Sequence, residues 1–189
     1  VSQATLGIGK VLWSLESALA YKGHFPAINW LTSYSLYLDT MAAWFNREQP
    51  GWTELRGKMM RLLQEESELD EIVKLVGMDA LGASDRLKME AARSIREDFL
   101  HQNSFHEVDT YTPLDKQRRM MQLVVGYYEK CSDALGKGAP VEPLLGLPVR
   151  EAIGRYKYTV PEQVESEYEK IQAELHEEIA GVLNKKEEY

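Results

Sequence analysis

An all-α fold, a compact helical bundle, is what this chain predicts, and three observations carry that expectation. Apolar residues recur at helical spacing over most of the length. Strand-like alternation of apolar and polar residues is scarce. The apolar stripes are wider than the two-position seam of a coiled coil, so they suit helices around a broad common core. The 189 residues suffice for one domain with a sizeable core, or one domain plus part of another. The sequence shows no internal repeat and no low-complexity tract.

The elements follow in order. Residues 3–21 carry Leu6, Val11, Leu12, Leu15, Ala18 and Leu19, which predicts an amphipathic helix. Gly7 and Gly9 weaken its first turns by roughly 1 kcal/mol each relative to Ala. Gly23 and Pro26 break it. A second apolar stretch, Trp30 to Phe45, stops at Gln49-Pro50-Gly51, a strong turn signal. From Thr53 the apolar positions Leu55, Met59, Leu62, Leu69, Ile72 and Val76 predict a helix with one buried stripe, and Gly77 is its expected stop. Ser84 is the expected N-cap of a helix that buries Leu87, Ala91, Ile95 and Phe99. Thr112-Pro113 starts another, with Pro in the first helical position, which runs through Leu114, Met121, Val124, Val125, Tyr128 and Leu135. Gly136 to Pro140 ends it, and the stretch to Pro148 reads as loop. Val149 to Tyr156 predicts a short helix. The last helix carries Val164, Tyr168, Ile171, Leu175, Ile179 and Val182.

Composition narrows the function classes. Hydrophobic residues at 44% and charged residues at 28% are ordinary for a globular protein. The net charge of -8 argues against nucleic acid, because phosphate binding needs a basic surface. Cys131 is the sole cysteine, so no intrachain disulfide and no cysteine-based zinc site can form. No apolar run approaches the roughly 20 residues that span a bilayer, so membrane insertion is not expected. The start, Val1-Ser2-Gln3, has neither an initiator Met nor a signal peptide, and a piece cut from a longer protein is expected.

Motifs for catalysis are missing. There is no G-x-x-x-x-G-K-[ST] loop; Gly7-Ile8-Gly9-Lys10 lacks its first glycine and its Ser/Thr. There is no G-x-S-x-G elbow, and His176-Glu177-Glu178-Ile179-Ala180 stops short of H-E-x-x-H. Asp98 and His101, or Glu97 and His101, have helical ligand spacing, but no second helix supplies a matching pair. Solvated charges on a helix face are expected there, with no metal site.

The least helix-like stretch is His24-Phe25-Pro26-Ala27-Ile28-Asn29-Trp30, leading into Leu31-Thr32-Ser33-Tyr34. Pro26 pushes Phe25 toward extended backbone, so a fixed turn is expected to present Phe25. A second irregular stretch, Gln102-Asn103-Ser104-Phe105-His106-Glu107-Val108-Asp109, carries Phe105. Residue type alone assigns both phenylalanines to the core. Two aromatics on loops also suit the stacking of a planar base, with Gln102 reading its amino edge, at roughly 1–3 kcal/mol per stacked ring. Gly77-Met78-Asp79-Ala80-Leu81-Gly82-Ala83-Ser84-Asp85 reads locally as a tight helix-loop-helix corner.

Taken together, His24 to Tyr37, Glu71 to Asp79, Arg96 to Tyr111 and Leu147-Pro148-Val149-Arg150-Glu151 resemble the catalytic A subunit of archaeal/vacuolar-type rotary ATPases. The likeness covers essentially the whole chain and is strongest over 24–37 and 71–111. It implies a C-terminal helical bundle over residues 25–189, preceded in residues 1–24 by the trailing helix of an upstream nucleotide-binding domain. It also implies ATP or ADP with magnesium as ligands of the parent subunit, with phosphate loop, magnesium-binding acid and catalytic glutamate upstream. No catalytic residue is then expected in this chain, and no tightly bound nucleotide. By the same resemblance Phe25, Gln102 and Phe105 line the adenine pocket, and Asp79, Leu81 and Asp85 belong to the loop that touches the central rotor. Partners implied are non-catalytic B subunits and central-stalk subunits, in a cytoplasmic head peripheral to the membrane. The rotor loop of relatives is rich in Glu; here only Asp79 and Asp85 are acidic, so contact through shape is expected to outweigh charge. Two other readings are a non-catalytic B subunit, against which Trp30-Leu31-Thr32-Ser33-Tyr34 speaks, and a helical interaction module without a nucleotide role.

Overall fold

The structure, a computed structural model, describes residues 7–187. Near its start Val11–Leu12 (β1) pairs antiparallel with Tyr34–Ser35 (β2), Val11 opposite Ser35 and Leu12 opposite Tyr34. Between them only Ser17–Tyr21 (α1) is helical. The helix predicted over 3–21 is thus corrected; its residues before 7 lie outside the described ones. The cause is tertiary. The Asn29 N–H donates to the Ser14 carbonyl at 2.7 Å, and the Glu16 N–H to the Ala27 carbonyl at 2.9 Å. Backbone groups that a helix needs are taken by the returning chain, and this overrides propensity.

Leu38–Glu48 (α2) and Trp52–Val76 (α3) meet at a corner that the turn residues shape. Gly51 takes a φ of 81°, a left-handed conformation that only glycine adopts without strain. Phe45 stacks on Trp52 with ring centroids 5.2 Å apart, and the Asn46 amide donates to the Thr53 hydroxyl at 2.7 Å. Gly77, with φ 86°, stops α3 where the sequence places the stop.

A single 3₁₀ turn, Met78–Ala80, leads to Ala83–Ser94 (α4), which continues as a π-helix over Ile95–Leu100. Ser84 is not the N-cap of α4: Gly82 holds that position, and Ser84 lies inside the first turn. Leu114–Gly136 (α5) follows, with Pro113 immediately before it. The segment expected to be loop after Pro140 contains Val141–Leu145 (α6), where Leu144 is fully buried. Val149–Arg155 (α7), a 3₁₀ turn Tyr156–Tyr158, another at Pro161–Gln163, and Val164–Glu187 (α8) complete the chain.

α4 and α5 form the centre, with α3 packed on both and α8 packed on α5 and α7. The core includes Leu63, Leu87, Ile95, Leu123, Leu144, Ile171 and Leu175. Truncating one such leucine to Ala costs roughly 2–5 kcal/mol. Tyr127 and Tyr156 are also buried, and each hydroxyl has a partner: it donates to the Leu144 carbonyl at 3.0 Å and to the Val164 carbonyl at 2.8 Å, respectively. The fold is the all-α bundle that the helical spacing predicts, with one small strand pair added.

Two expectations about burial fail. α3 buries Met59, Leu62 and Leu63, but its last turns leave the core and expose Ile72 and Val76. Asp98 is not a solvated charge; it lies against Gly154 and accepts from the Ser94 hydroxyl. Among the described residues no helix is long and apolar enough to cross a membrane.

Candidate functional site

The stretch from His24 to Ser33 is pinned before it reaches the bundle. The Asn29 carboxamide oxygen accepts from the N–H groups of Leu31 and Thr32 at 2.9 and 3.0 Å, and its NH₂ donates to Glu16 at 2.6 Å. The Ser14 N–H donates to the Ser33 hydroxyl at 2.9 Å. Asn29 therefore acts as the bracket that folds this loop against residues 14–16. The Phe25–Pro26 peptide is cis.

Phe25 then meets the end of the π-helix. Its N–H donates to Nδ1 of His101 at 3.2 Å, and its carbonyl accepts the N–H of Gln102 at 2.8 Å. Two of the expected adenine-site residues are so joined through their backbones. The Phe25 side chain is 52% exposed, which its assignment to the core by residue type does not anticipate.

The following loop is braced by its own side chains. The Asn103 N–H donates to the Asp109 carboxylate at 2.6 Å, and the Phe105 N–H donates to the Asn103 carboxamide at 3.0 Å. Nδ1 of His106 accepts from Val108 and Asp109 at 3.1 and 3.3 Å, and its ring packs on Tyr158 at 4.4 Å. Asp109 is buried, whereas Phe105 at the tip is 97% exposed. A large apolar ring so exposed is not a core residue of this chain. The Gln102 side chain donates to the Asp109 carbonyl at 2.7 Å, which leaves its oxygen as the end able to accept from a ligand. A cavity of about 340 Å³ beside this loop is lined by Pro26, Phe99, Gln102, Tyr111 and Gln117 among others, but by neither Phe25 nor Phe105.

A larger cleft of about 640 Å³ is lined by Glu16, His24, Trp30, Asp70 and His101 among others. His24 lies 5.3 Å from His101, ring centre to ring centre. Burial, and then the neighbouring His101, hold the His24 imidazole below its ordinary value. Arg96 grips Glu66 with two guanidinium nitrogens at 2.8 and 3.1 Å. Among the described residues no group of His, Cys, Asp and Glu is placed to hold a metal ion.

The corner between α3 and α4 differs from expectation in one residue. Asp79 is exposed on the 3₁₀ turn, but Leu81 is buried at 9% and anchors the turn from inside. Leu81 thus shows little of itself on the surface of the corner. Asp85 pairs with Lys88 at 3.3 Å, and Lys88 also pairs with Glu65 at 3.2 Å. The outward apolar surface comes from residues outside the predicted set: Leu75 is 85% exposed, Val76 61% and Met78 45%.

Two residues at the site have no signal in the periodicity. Lys157 and Lys116 are buried lysines, and burial lowers both ammonium pKa values. Their spacing marks neither as special; only the packing shows that they reach backbone carbonyls.

Comparison with known proteins adds family evidence. Residues 42–143 match the family described as the C-terminal domain of V and A type ATP synthase. The chain is 57% identical over 186 residues to the V-type ATP synthase alpha chain of Acetivibrio thermocellus, covering 98% of this chain and 32% of that protein. It is 53% identical over 184 residues to the alpha chain of Thermoanaerobacter pseudethanolicus, covering 97% and 31%. It is 51% identical over 187 residues to that of Clostridioides difficile, covering 98% and 32%. The chain spans about a third of the length of these relatives.

Proposed function

Because this chain belongs to the family of C-terminal domains of V and A type ATP synthases, we propose that it forms the adenine side of the ATP site and the lever that meets the central rotor. Phe25 and Phe105 supply faces for stacking the base. The oxygen of Gln102 accepts from the exocyclic amino group of adenine, a donor that guanine lacks at that position. Phosphate and magnesium chemistry belongs to the upstream part of the catalytic subunit, because this sequence has no phosphate-binding loop.

The observation that carries this reading is a continuous rod. α4 and the π-helix run without a break from Ala83 to Leu100. At about 1.5 Å per residue the rod is about 25 Å long. One end carries the clasp between Phe25 and Gln102; the other carries the corner at Asp79 and Asp85. A packed helix moves as a unit, so a shift at the base-binding end displaces the corner. Closure around the nucleotide swings the bundle inward and presses the corner on the shaft; release reverses the swing. In synthesis the shaft drives the same motion backward. The partners are then non-catalytic B subunits and the central stalk, in a head peripheral to the membrane.

The test is nucleotide affinity of the full-length subunit carrying Phe25→Ala or Phe105→Ala. Each weakens ATP binding by about 1–3 kcal/mol. The exposed apolar residues Leu75, Val76 and Met78 equally suit a helical interaction module without a nucleotide role. Unchanged ATP affinity in both variants decides for that module.

A further inference from the structure

The His101–Gln102 peptide unit is held from both sides. Its N–H donates to the Phe25 carbonyl at 2.8 Å, and its carbonyl accepts from the Lys157 ammonium at 3.0 Å. The same ammonium donates to the Glu97 carbonyl at 3.0 Å. The reason lies in how the π-helix ends. Its last regular bond runs from the His101 N–H to the Arg96 carbonyl at 2.9 Å. One residue further, a continuing π-helix would send the Gln102 N–H to Glu97. That N–H goes to Phe25 instead, and Lys157 takes the carbonyl so released.

Lys157 is itself fixed. The buried Lys116 ammonium donates to the Lys157 carbonyl at 2.6 Å and to the Thr159 carbonyl at 2.8 Å, which ties the 3₁₀ turn 156–158 to α5. The next residue, Tyr158, packs on His106 in the middle of the same loop. The bonds inside the loop make it a rigid body, but they do not place it. The turn 156–158 braces it at two points.

We propose that Lys157 is a positioning residue for base recognition: by closing the π-helix end it aims Gln102 and Phe105 at the adenine. It touches no ligand. This inference rests on the adenine-wall reading above. A charged donor, itself buried, on two backbone carbonyls is a strong, directional restraint, and its loss lets the peptide unit turn.

The experiment compares ATP and inorganic tripolyphosphate binding to the full-length subunit and its Lys157→Met variant, with Phe25→Ala alongside. Lys157→Met weakens ATP on the order of tenfold, about 1.4 kcal/mol, and leaves tripolyphosphate, which has no base, within about twofold. Equal loss of both ligands, or of neither, overturns the role of Lys157. Phe25→Ala separates the two levels. If it weakens ATP while Lys157→Met does not, only the present inference fails. If neither it nor Phe105→Ala has an effect, the adenine-wall reading itself fails and this inference with it. Hydrogen exchange on the unmodified chain gives a test that needs no variant to fold. The Gln102 amide exchanges far more slowly than that of Ser104; equal rates overturn the proposal.

Discussion

The Gln102 N–H donates to the Phe25 carbonyl at 2.8 Å, and this bond joins two loops far apart in sequence. On the function proposed above, this chain supplies a wall for the base, while its sequence carries no phosphate-binding loop. The isolated chain should therefore bind ATP no more tightly than about 1 mM, the scale of one or two stacked rings, and should not hydrolyse it. Calorimetric titration checks this. Micromolar affinity or measurable turnover contradicts it.

The Asp98 carboxylate lies where a side chain on Gly154 would go: a Cβ there would meet Oδ1 at 2.8 Å. Asp98 is partly buried and held by Ser94, so it has little freedom to move. Gly154→Ala should destabilise the chain by about 1–3 kcal/mol through overpacking. Urea unfolding measures the loss; a variant as stable as the parent sequence would show that Asp98 relaxes freely.

Gly77 ends α3 with φ 86° and ψ 163°, a conformation that is essentially reserved for glycine. Nothing crowds the position, so any cost comes from the backbone alone. Gly77→Ala should cost about 1–3 kcal/mol and distort the corner that carries Asp79. Thermal unfolding of the two chains decides it, and an unchanged midpoint counts against the argument.

His24 predicts a pH dependence of one sign. Burial holds its folded-state pKa below the ordinary value, so the unfolded chain takes up this proton first on acidification. The stability linked to neutral His24 is intact above about pH 6.5 and declines as pH falls below it. Urea midpoints at pH 7.5 and about 5.5 should fall less for His24→Gln than for the unmodified chain. Parallel declines would assign the effect to other groups.

Leu75 stands 85% exposed at the end of α3. Leu75→Ser should leave stability within about 0.5 kcal/mol, as for an ordinary surface site. If the corner meets the shaft through apolar shape, the same change weakens binding of the assembled head to its central stalk. A pull-down with stalk subunits reads this directly, and undiminished binding removes Leu75 from the contact.

The sequence by itself determined the helices that bury a stripe, because a 3.6-residue period has one structural solution in water. α3, α5 and α8 follow from Leu62, Val124 and Ile171 and their spaced neighbours, and Gly77 marks its stop because φ is a local property. It also marked the two stretches that carry Phe25, Gln102 and Phe105 as irregular, though residue type alone assigned both phenylalanines to the core. Tertiary structure decided what spacing does not encode. Residues 9–16 gave up a helix because the chain from Ala27 to Ser35 returned to take their backbone bonds. Leu81 turned inward while Leu75 turned out, because burial depends on where a neighbouring helix ends. Lys157 gained its place because Gln102 bonded to Phe25 and left a carbonyl behind. Local periodicity records which face of a helix is apolar; it holds no information on which distant backbone group will be left without a partner.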